Sequence, residues 1–487
     1  MSSVSTIGQA LNGIVPVMCV TLAGIACMLA EAFRRRGERM PIGGLGLVGL
    51  AGAGASAVLL WGRRAGCLGV AEADDFGLFV QLVLVGIGVL TIVFSSDAVE
   101  REGLPAGEYY ALTMFALAGM MLMAVATDLL VIFLALEVFS LALYAMTGLR
   151  RRVYASAEGA FKYFILGGFS SAFFLYGVAF AFGLSGSTHL DRLAAHVQAH
   201  APAGGLLLLV AMGLLLAGFA FKVAAVPFHM WTPDAYESAP TVVTGFMSTA
   251  VKAAAFAAFI RVFLHALGPL RADWLPVVWV LAICTMILGS VVGVVQVNLK
   301  RMLAYSSIAH GGYLLVALAS GDEVGRAAIL FYLVVYAVTN VGAFAVIALL
   351  DSREAPMQTL DDYRGLWHRS PFMSGMLAVF LLSLGGFPPF AGFVAKWYVF
   401  TAAVRADQYA LAIVGVLTSV VSVFFYLRII VMMYMTDKAA EAAPAALPRV
   451  PKPAAAALWL SVAALLYLGV LPTRVVEIAA RAVASVL

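Results

Sequence analysis

Charge is what this sequence has least of. Only 11% of its 487 residues are Asp, Glu, Lys or Arg, and 63% are apolar, whereas a soluble domain carries about 25% charge. That scarcity excludes a soluble globular chain. The lack of any basic tract excludes a nucleic-acid partner. Cysteine is equally sparse: Cys19, Cys27, Cys67 and Cys284 are isolated, with no CxxC among them. No iron–sulfur cluster, zinc site or disulfide framework is therefore expected. No GxGxxG or Walker A segment offers a nucleotide site. A signal peptide is not expected either, because the first apolar stretch, from about Ile7 to Leu29, is too long and has no basic n-region. It reads as a retained span.

Long hydrophobic runs fill the chain. Hydropathy predicts fourteen spans of roughly 20 residues each, at 7–30, 42–61, 77–96, 109–127, 129–149, 160–184, 204–228, 241–265, 274–296, 302–320, 327–350, 372–402, 408–434 and 454–473. The fold class is all-α and integral to a membrane. The twelfth span is interrupted at Gly385-Gly386-Phe387-Pro388-Pro389. The longest polar linkers, Asp351–Ser370 and Asp437–Pro453, leave no room for a soluble domain.

Loop charge gives an orientation. One set of alternate loops carries Arg34, Arg35, Arg36, Arg39, Arg101, Arg150, Arg151, Arg152, Lys300, Arg301, Arg353, Arg364, Arg369, Lys438, Arg449 and Lys452. The opposite set, with both termini, carries half as many: Arg63, Arg64, Arg192, Arg271, Arg326, Arg405, Arg474 and Arg481. The positive-inside rule then places both termini outside.

Lysine is rare, yet three of the seven lysines lie inside apolar runs: Lys222 in AGFAFKVAAVPF, Lys252 in MSTAVKAAAFAAF and Lys396 in PPFAGFVAKWYVF. A charge at membrane depth costs at least ~2.5 kcal/mol, so it normally marks a pathway, a relay or a ligand site. Intramembrane polar residues also recur at a constant offset. Lys222 to Lys396 is 174 residues, Glu137 to His310 is 173, and Lys252 to Tyr426 is 174. Each repeating unit would hold five spans, 4–8 and 9–13. An odd number makes the second unit enter from the other side, an inverted-topology repeat. The expected division is a three-span segment at 1–108, repeats at 109–265 and 274–434, and a linker with a last span at 435–487. Spans 7 and 12 are expected to be broken, by Pro227 and by Pro388 and Pro389, which free carbonyls that only a polar or protein-lined cavity tolerates.

Each buried polar residue has a functional and a bland reading. Glu137, with Ser140 and Tyr144 on one helical face, is a carboxylate paired with a lysine from another helix, or a structural ion pair. Lys222 is its natural partner, and making or breaking the pair would load or unload a proton. Arginine would stay charged throughout. Lys252 lies one turn from Ser248 and is otherwise a lysine near a helix end. His310, with Ser306 and Tyr313 on its face, is a relay or a packing residue. Lys396 is a relay or an interfacial anchor beside Trp397 and Tyr398. Lys300 and Arg301, at the start of a span, read as orientation signals. His229 and Asp234, at a helix end, form a proton entrance or cap and pack their loop.

These segments resemble the antiporter-like subunits of respiratory complex I, nearest to the subunit N family of bacterial NADH–quinone oxidoreductase. The strings that carry the resemblance are EGAFKYFILGGFSSAFFLYG (158–177), GFAFKVAAVPFHMWTPDAYESAPT (218–241), VKAAAFAAFIRVF (251–263), NLKRMLAYSSIAHGGYLLVAL (298–318) and GGFPPFAGFVAKWYVF (385–400). The FKYFILGGFSSA stretch and a lysine at 396 favour subunit N over its sister M. Ser238, Val242 and Ala395 depart from the usual glycine, proline and glycine. The resemblance implies a proton-translocating subunit of a bacterial inner-membrane complex with no redox chemistry of its own. Glu137 and Lys222 would form an ion pair, Lys252 and His310 the middle of a hydrated line, and Lys396 its end. It implies no cofactor in this chain, with NAD, FMN, iron–sulfur clusters and quinone in partner subunits. The implied neighbours are subunit M, small subunits such as K and J, and the lipid bilayer. Two alternatives stand beside it: a subunit of a multi-subunit cation/proton antiporter or membrane-bound hydrogenase, and a passive scaffold.

Overall fold

A computed structural model describes residues 11–34, 40–200, 205–351, 357–435 and 447–486. Positions 7–10 of the first predicted span, Arg35, Arg36, Arg39, Arg353 and Lys438, and most of the 437–453 linker lie outside the described residues.

The regular structure of the described residues is helical, apart from a two-stranded antiparallel sheet of β1 (Ala65–Cys67) and β2 (Ala71–Ala73). Helices α1 (Val15–Phe33) and α2 (Ile42–Leu60) precede the sheet. After it come α3 (Asp75–Arg101), α4 (Ala106–Val125), α5 (Leu129–Thr147) and α6 (Tyr154–Ser185). The middle of the chain holds α7 (Leu190–His200), α8 (Leu206–Lys222), α9 (Trp231–Ser238) and α10 (Thr241–Phe259), which continues as a π-helical turn over Ile260–Ala266. Next are α11 (Arg271–Val294), α12 (Leu299–Ser320), α13 (Glu323–Leu350) and the short α14 (Leu366–Arg369). The last are α15 (Pro371–Gly385), α16 (Ala391–Arg405), α17 (Tyr409–Met435), α18 (Lys452–Val470) and α19 (Thr473–Val483).

Twelve of the described helices are long and apolar enough to cross a membrane. Of the other two predicted spans, 204–228 holds the shorter helix α8, with α9 lying beyond its predicted end, and 372–402 holds α15 followed by most of α16. One sequence expectation needs qualification. Gly44-Leu45-Gly46-Leu47-Val48-Gly49 has the GxGxxG spacing and begins in the first turn of α2, but no strand precedes it among the described residues and Gly44 N is taken by Pro41 O at 2.8 Å. The phosphate-binding form of the pattern needs a strand running into the turn and free N–H groups there.

Helix starts follow ordinary capping chemistry. Asp74 accepts from Gly77 N at 2.8 Å, Asp128 from Leu130 N at 2.8 Å, Asn298 from Arg301 N at 3.1 Å and Asp322 from Gly325 N at 2.7 Å. Helices α10, α12 and α13 form the interior; every residue of α10 is buried. Small residues allow that closeness. A Cβ on Gly311 of α12 would lie 2.9 Å from Val223 O, and one on Gly245 of α10 would lie 2.9 Å from Phe344 Cβ of α13. Helices α1, α2, α6, α17 and α18 instead present rows of exposed apolar side chains, including Leu22, Val48, Phe169, Val420 and Leu460. An all-apolar outer face around a polar-spotted interior is what a bilayer selects.

Both broken helices satisfy their freed backbone groups inside the protein. At the first break, Ala225 N reaches Ala220 O at 2.8 Å, Trp231 Nε1 donates to Phe221 O at 3.1 Å, and Val226 N donates to Thr285 Oγ1 at 2.9 Å. At the second, Gly386 has φ +84°, and both Gly386 N and Phe387 N donate to Leu382 O at 3.0 Å. A Cβ on Gly392 would sit 1.8 Å from Ser383 O, so only glycine lets α16 start against the end of α15. The Val226–Pro227 and Pro388–Pro389 peptides are cis.

Candidate functional site

The lysines that sequence places in apolar runs are buried, at 2% exposure for Lys222 and Lys252 and 6% for Lys396. None has a carboxylate within ion-pair distance among the described residues. Their nitrogens go to hydroxyls, carbonyls and aromatic faces.

Lys222 closes α8. Its Nζ donates to Ser140 Oγ of α5 at 2.7 Å and lies 5.5 Å from the Phe139 and Phe221 ring centres and 5.8 Å from that of Tyr144. Glu137, one turn before Ser140, is only half-buried and accepts from Ser171 Oγ of α6. The direct Glu137–Lys222 ion pair expected from sequence is therefore not formed. Each group is held by a serine, and the acid acts on the lysine only through its field. Helical spacing puts Glu137 and Ser140 on adjacent turns of one helix, so the hydroxyl takes the contact that the carboxylate was expected to make. Tyr144 is buried with its hydroxyl against Gly167, and that hydroxyl has no hydrogen-bond partner among the described residues.

Lys252, on α10, reaches the Oγ and carbonyl of Ser307 on α12 and lies 5.3 Å from the Tyr336 ring centre. Tyr336 OH also donates to Ser307 Oγ, at 2.9 Å. Asn340, one turn along α13, donates to Tyr336 OH at 3.2 Å and to Ser248 Oγ at 2.7 Å. Ser248, one turn from Lys252, joins the cluster through Asn340 and not by touching the lysine. Thr249 and Ser248 both turn back to the α10 backbone.

His310 sits between two tyrosines. Its Nδ1 contacts Tyr332 OH of α13, and its Nε2 lies 3.3 Å from Tyr426 OH of α17. Tyr426 in turn contacts Ser306 Oγ. Tyr313 packs edge-on to the histidine at 5.6 Å, and Lys396 Nζ lies 5.3 Å from the Tyr313 ring centre. Lys396 donates to Gly385 O at 3.0 Å, across the second break, and to Ser419 Oγ of α17 at 2.8 Å. Both Lys252 and Lys396 act electrostatically on His310. Lys252, His310 and Lys396 thus lie in neighbouring hydrogen-bonded clusters on α10, α12, α13, α16 and α17, bridged by the rings of Tyr336 and Tyr313, while Lys222 and Glu137 are held on α5, α6 and α8.

The equal 174-residue offset of Lys222 and Lys396 does not make them equivalent positions. Lys222 ends the helical piece before its break, whereas Lys396 lies in the piece after its own.

Asp234 is held at the end of α6 and α12: Lys162 Nζ donates to it at 2.9 Å and Arg301 Nη1 at 2.7 Å, and Arg301 also reaches Glu237 at 2.9 Å. Burial works to raise the Asp234 carboxyl, but the two cations outweigh it and hold it below the usual range. That geometry favours the capping and packing reading over an entrance. His229 is half-buried, and its Nδ1 has no hydrogen-bond partner among the described residues.

Sequence reasoning missed several polar residues. Ser307, Tyr332, Tyr336, Asn340, Ser171 and Ser419 carry no charge and so give no hydropathy signal. Lys300, read as an orientation signal, is 5% exposed and donates to Ala239 O at 2.6 Å. Arg261 is also buried. It pairs with Asp74 at 2.6 and 3.0 Å, donates to Ala124 O at 2.8 Å and covers Phe76. Its position near a span end hid it.

A many-span bundle with a buried lysine–histidine–hydroxyl zone and two broken helices defines the class of antiporter-like membrane subunits. Residues 126–422 match the family described as NADH:quinone oxidoreductase/Mrp antiporter, transmembrane. The NADH-quinone oxidoreductase subunit N of Trichlorobacter lovleyi is 43% identical over 474 residues, covering 97% of each chain. That of Chloroflexus aggregans is 42% identical over 433 residues, covering 88% of each. A chain of respiratory complex I from Thermus thermophilus superposes with a TM-score of 0.80 at 34% identity, over 96% of this chain and 99% of that one. A chain of the Mrp complex from a Dietzia species shares the fold, with a TM-score of 0.84 at 22% identity over 98% and 97%. The chain belongs to the NADH-quinone oxidoreductase subunit N family, and it is a multi-pass membrane protein.

Proposed function

We propose that this chain carries protons through the membrane arm of a bacterial NADH–quinone oxidoreductase, along the line Glu137, Lys222, Lys252, His310 and Lys396. The observation that carries the reading is the state of the lysines. They are buried, lack carboxylate partners within reach, and are solvated by Ser140, Ser307, Ser419 and Gly385 O. A lysine kept for structure is normally neutralised by an acid. One kept among neutral hydroxyls can give up its proton without leaving an orphaned anion. The tyrosine and serine hydroxyls around His310 supply groups that both donate and accept, as a relay requires.

In this reading the chain crosses the inner membrane fourteen times, two of the crossings being the broken spans at 204–228 and 372–402, with both termini outside. The two five-span units at 109–265 and 274–434 are an inverted repeat. Support for the repeat is the recurrence in each unit of a broken crossing followed by a long helix, α10 or α17. Redox chemistry belongs to other subunits, which hold NAD, FMN, iron–sulfur clusters and quinone. Subunit M and small subunits such as K and J are its neighbours. Quinone reduction elsewhere changes how strongly the field of Glu137 acts on Lys222, and the proton on Lys222 moves when that field changes.

The test is the proton-to-electron ratio of the assembled complex in inverted membrane vesicles. Lys222→Ala and Glu137→Ala should retain NADH–quinone electron transfer but lower that ratio. A passive scaffold would show altered assembly and an unchanged ratio in whatever complex forms.

A further inference from the structure

One buried lysine has no part in the line described above. Lys300 begins α12 at the arginine-rich end of the bundle, and its ammonium donates to Ala239 O at 2.6 Å. It lies in the field of Arg150, Asp351, Glu102 and Glu237. Three of these form a cluster drawn from separate parts of the chain: Glu102 after α3, Arg150 after α5 and Asp351 after α13. Arg150 holds Glu102 at 2.6 Å and stands 3.9 Å from Asp351. Glu102 and Asp351 are only 7% and 13% exposed. The same three residues line a cavity of about 540 Å³ together with Leu104, Leu149 and Gln358.

We propose that this cavity is a proton inlet, delivering protons through Asp351 and Lys300 to Lys252. The proposal rests on the proton-carrying reading above and adds its source. Three observations support it. The cavity has room for many waters, since one water occupies about 30 Å³ of liquid. Its wall holds a carboxyl able to take up a proton: burial, and then the charge of Glu102, push Asp351 above the usual carboxylate range, against the opposing pull of Lys300 and Arg150. The way onward is also polar. Ser307, which holds Lys252, lies seven residues beyond Lys300 on α12, two turns and about 10 Å along one helix face. Tyr236 is buried on α9, which packs on α12. The remaining gap is wider than one hydrogen bond, so water completes it.

The proton balance is simple. Asp351 takes a proton from cavity water, passes it to neutral Lys300, and Lys300 gives it to Lys252 through the intervening water and Ser307. No electron moves. Arginine separates this role from a structural one, because it preserves the positive charge but does not release a proton.

The experiment measures the proton-to-electron ratio of the assembled complex for Lys300→Arg, Asp351→Asn and, as reference, Lys252→Met. The expected result is a loss in Lys300→Arg and in Asp351→Asn as large as that in Lys252→Met, with electron transfer retained. A parental ratio in Lys300→Arg beside a lowered ratio in Lys252→Met overturns the inlet and leaves the relay standing. A parental ratio in Lys252→Met overturns the relay itself. Should Lys300→Arg fail to assemble, Asp351→Asn at the cavity wall decides, and a parental ratio there overturns the inlet.

Discussion

Ser307 is the residue on which the polar zone converges. It receives the ammonium of Lys252 and the hydroxyl of Tyr336, and it lies three residues before His310 on the same helix. A buried ammonium that loses a hydrogen-bond acceptor is left with its desolvation cost, about 1–3 kcal/mol or more for a charged group. Ser307→Ala should therefore slow proton transfer more than it alters assembly, lowering the proton-to-electron ratio in vesicles. Tyr426→Phe removes the hydroxyl shared by Ser306 and His310 and keeps the ring. It is expected to lower the ratio while thermal stability of the purified complex stays within a degree or two of the parent. A large stability loss with an unchanged ratio would reduce Tyr426 to packing. The residues legible from sequence were those whose presence costs energy: a lysine or histidine in an apolar run announces itself. Their partners were not legible, because serine, tyrosine and asparagine are cheap enough in a helix interior to give no such signal. The Glu137–Lys222 pair was misjudged for a related reason. Sequence shows which charges are deep, but not that Ser140 lies nearer to the ammonium than the acid does.

At the scale of elements, the two breaks decide where the lysines can be solvated. A continuous helix would hold every carbonyl in its own ladder, and none would be free for Lys396. At the second break Gly385 O leaves that ladder and accepts from Lys396 at 3.0 Å. Gly392→Ala would place a methyl 1.8 Å from Ser383 O, forcing α15 and α16 apart. The expected outcome is loss of assembled complex, read by native gel, whereas Gly375→Ala, with open space around its Cα, should assemble normally. The Arg261–Asp74 pair ties the π-helical end of α10 to the start of α3. Removing one partner from a buried pair costs about 3–5 kcal/mol, so Asp74→Ala should lower thermal stability clearly while Asp75→Ala should not. The breaks were legible because Pro227 marks the first and Gly385-Gly386-Phe387-Pro388-Pro389 the second. The α15–α16 division had no hydropathy signal of its own, since the apolar run carries on through it, whereas the polar α9, WTPDAYES, fell outside the predicted span and was read as a loop.

For the whole molecule, the account is one of an apolar shell around a thin polar interior. The class of fold was readable from the long apolar runs, because a helix satisfies its own backbone in lipid and a closed barrel, the other spanning structure, would show short alternating segments. The interior arrangement depended on which helices are central. Helices α10, α12 and α13 are buried on nearly all sides, while α5 leaves Glu137 half-exposed at the surface of the chain. No one-dimensional pattern distinguishes a central apolar helix from a peripheral one, which is why Lys300 was taken for a surface charge. The central claim is that Lys252 gives up its proton during turnover and does not merely supply a positive charge. The most direct measurement is the proton-to-electron ratio of assembled complex carrying Lys252→Arg, in sealed inverted vesicles with electron transfer followed in parallel. The account predicts a lowered ratio with electron transfer still running; a parental ratio would contradict it.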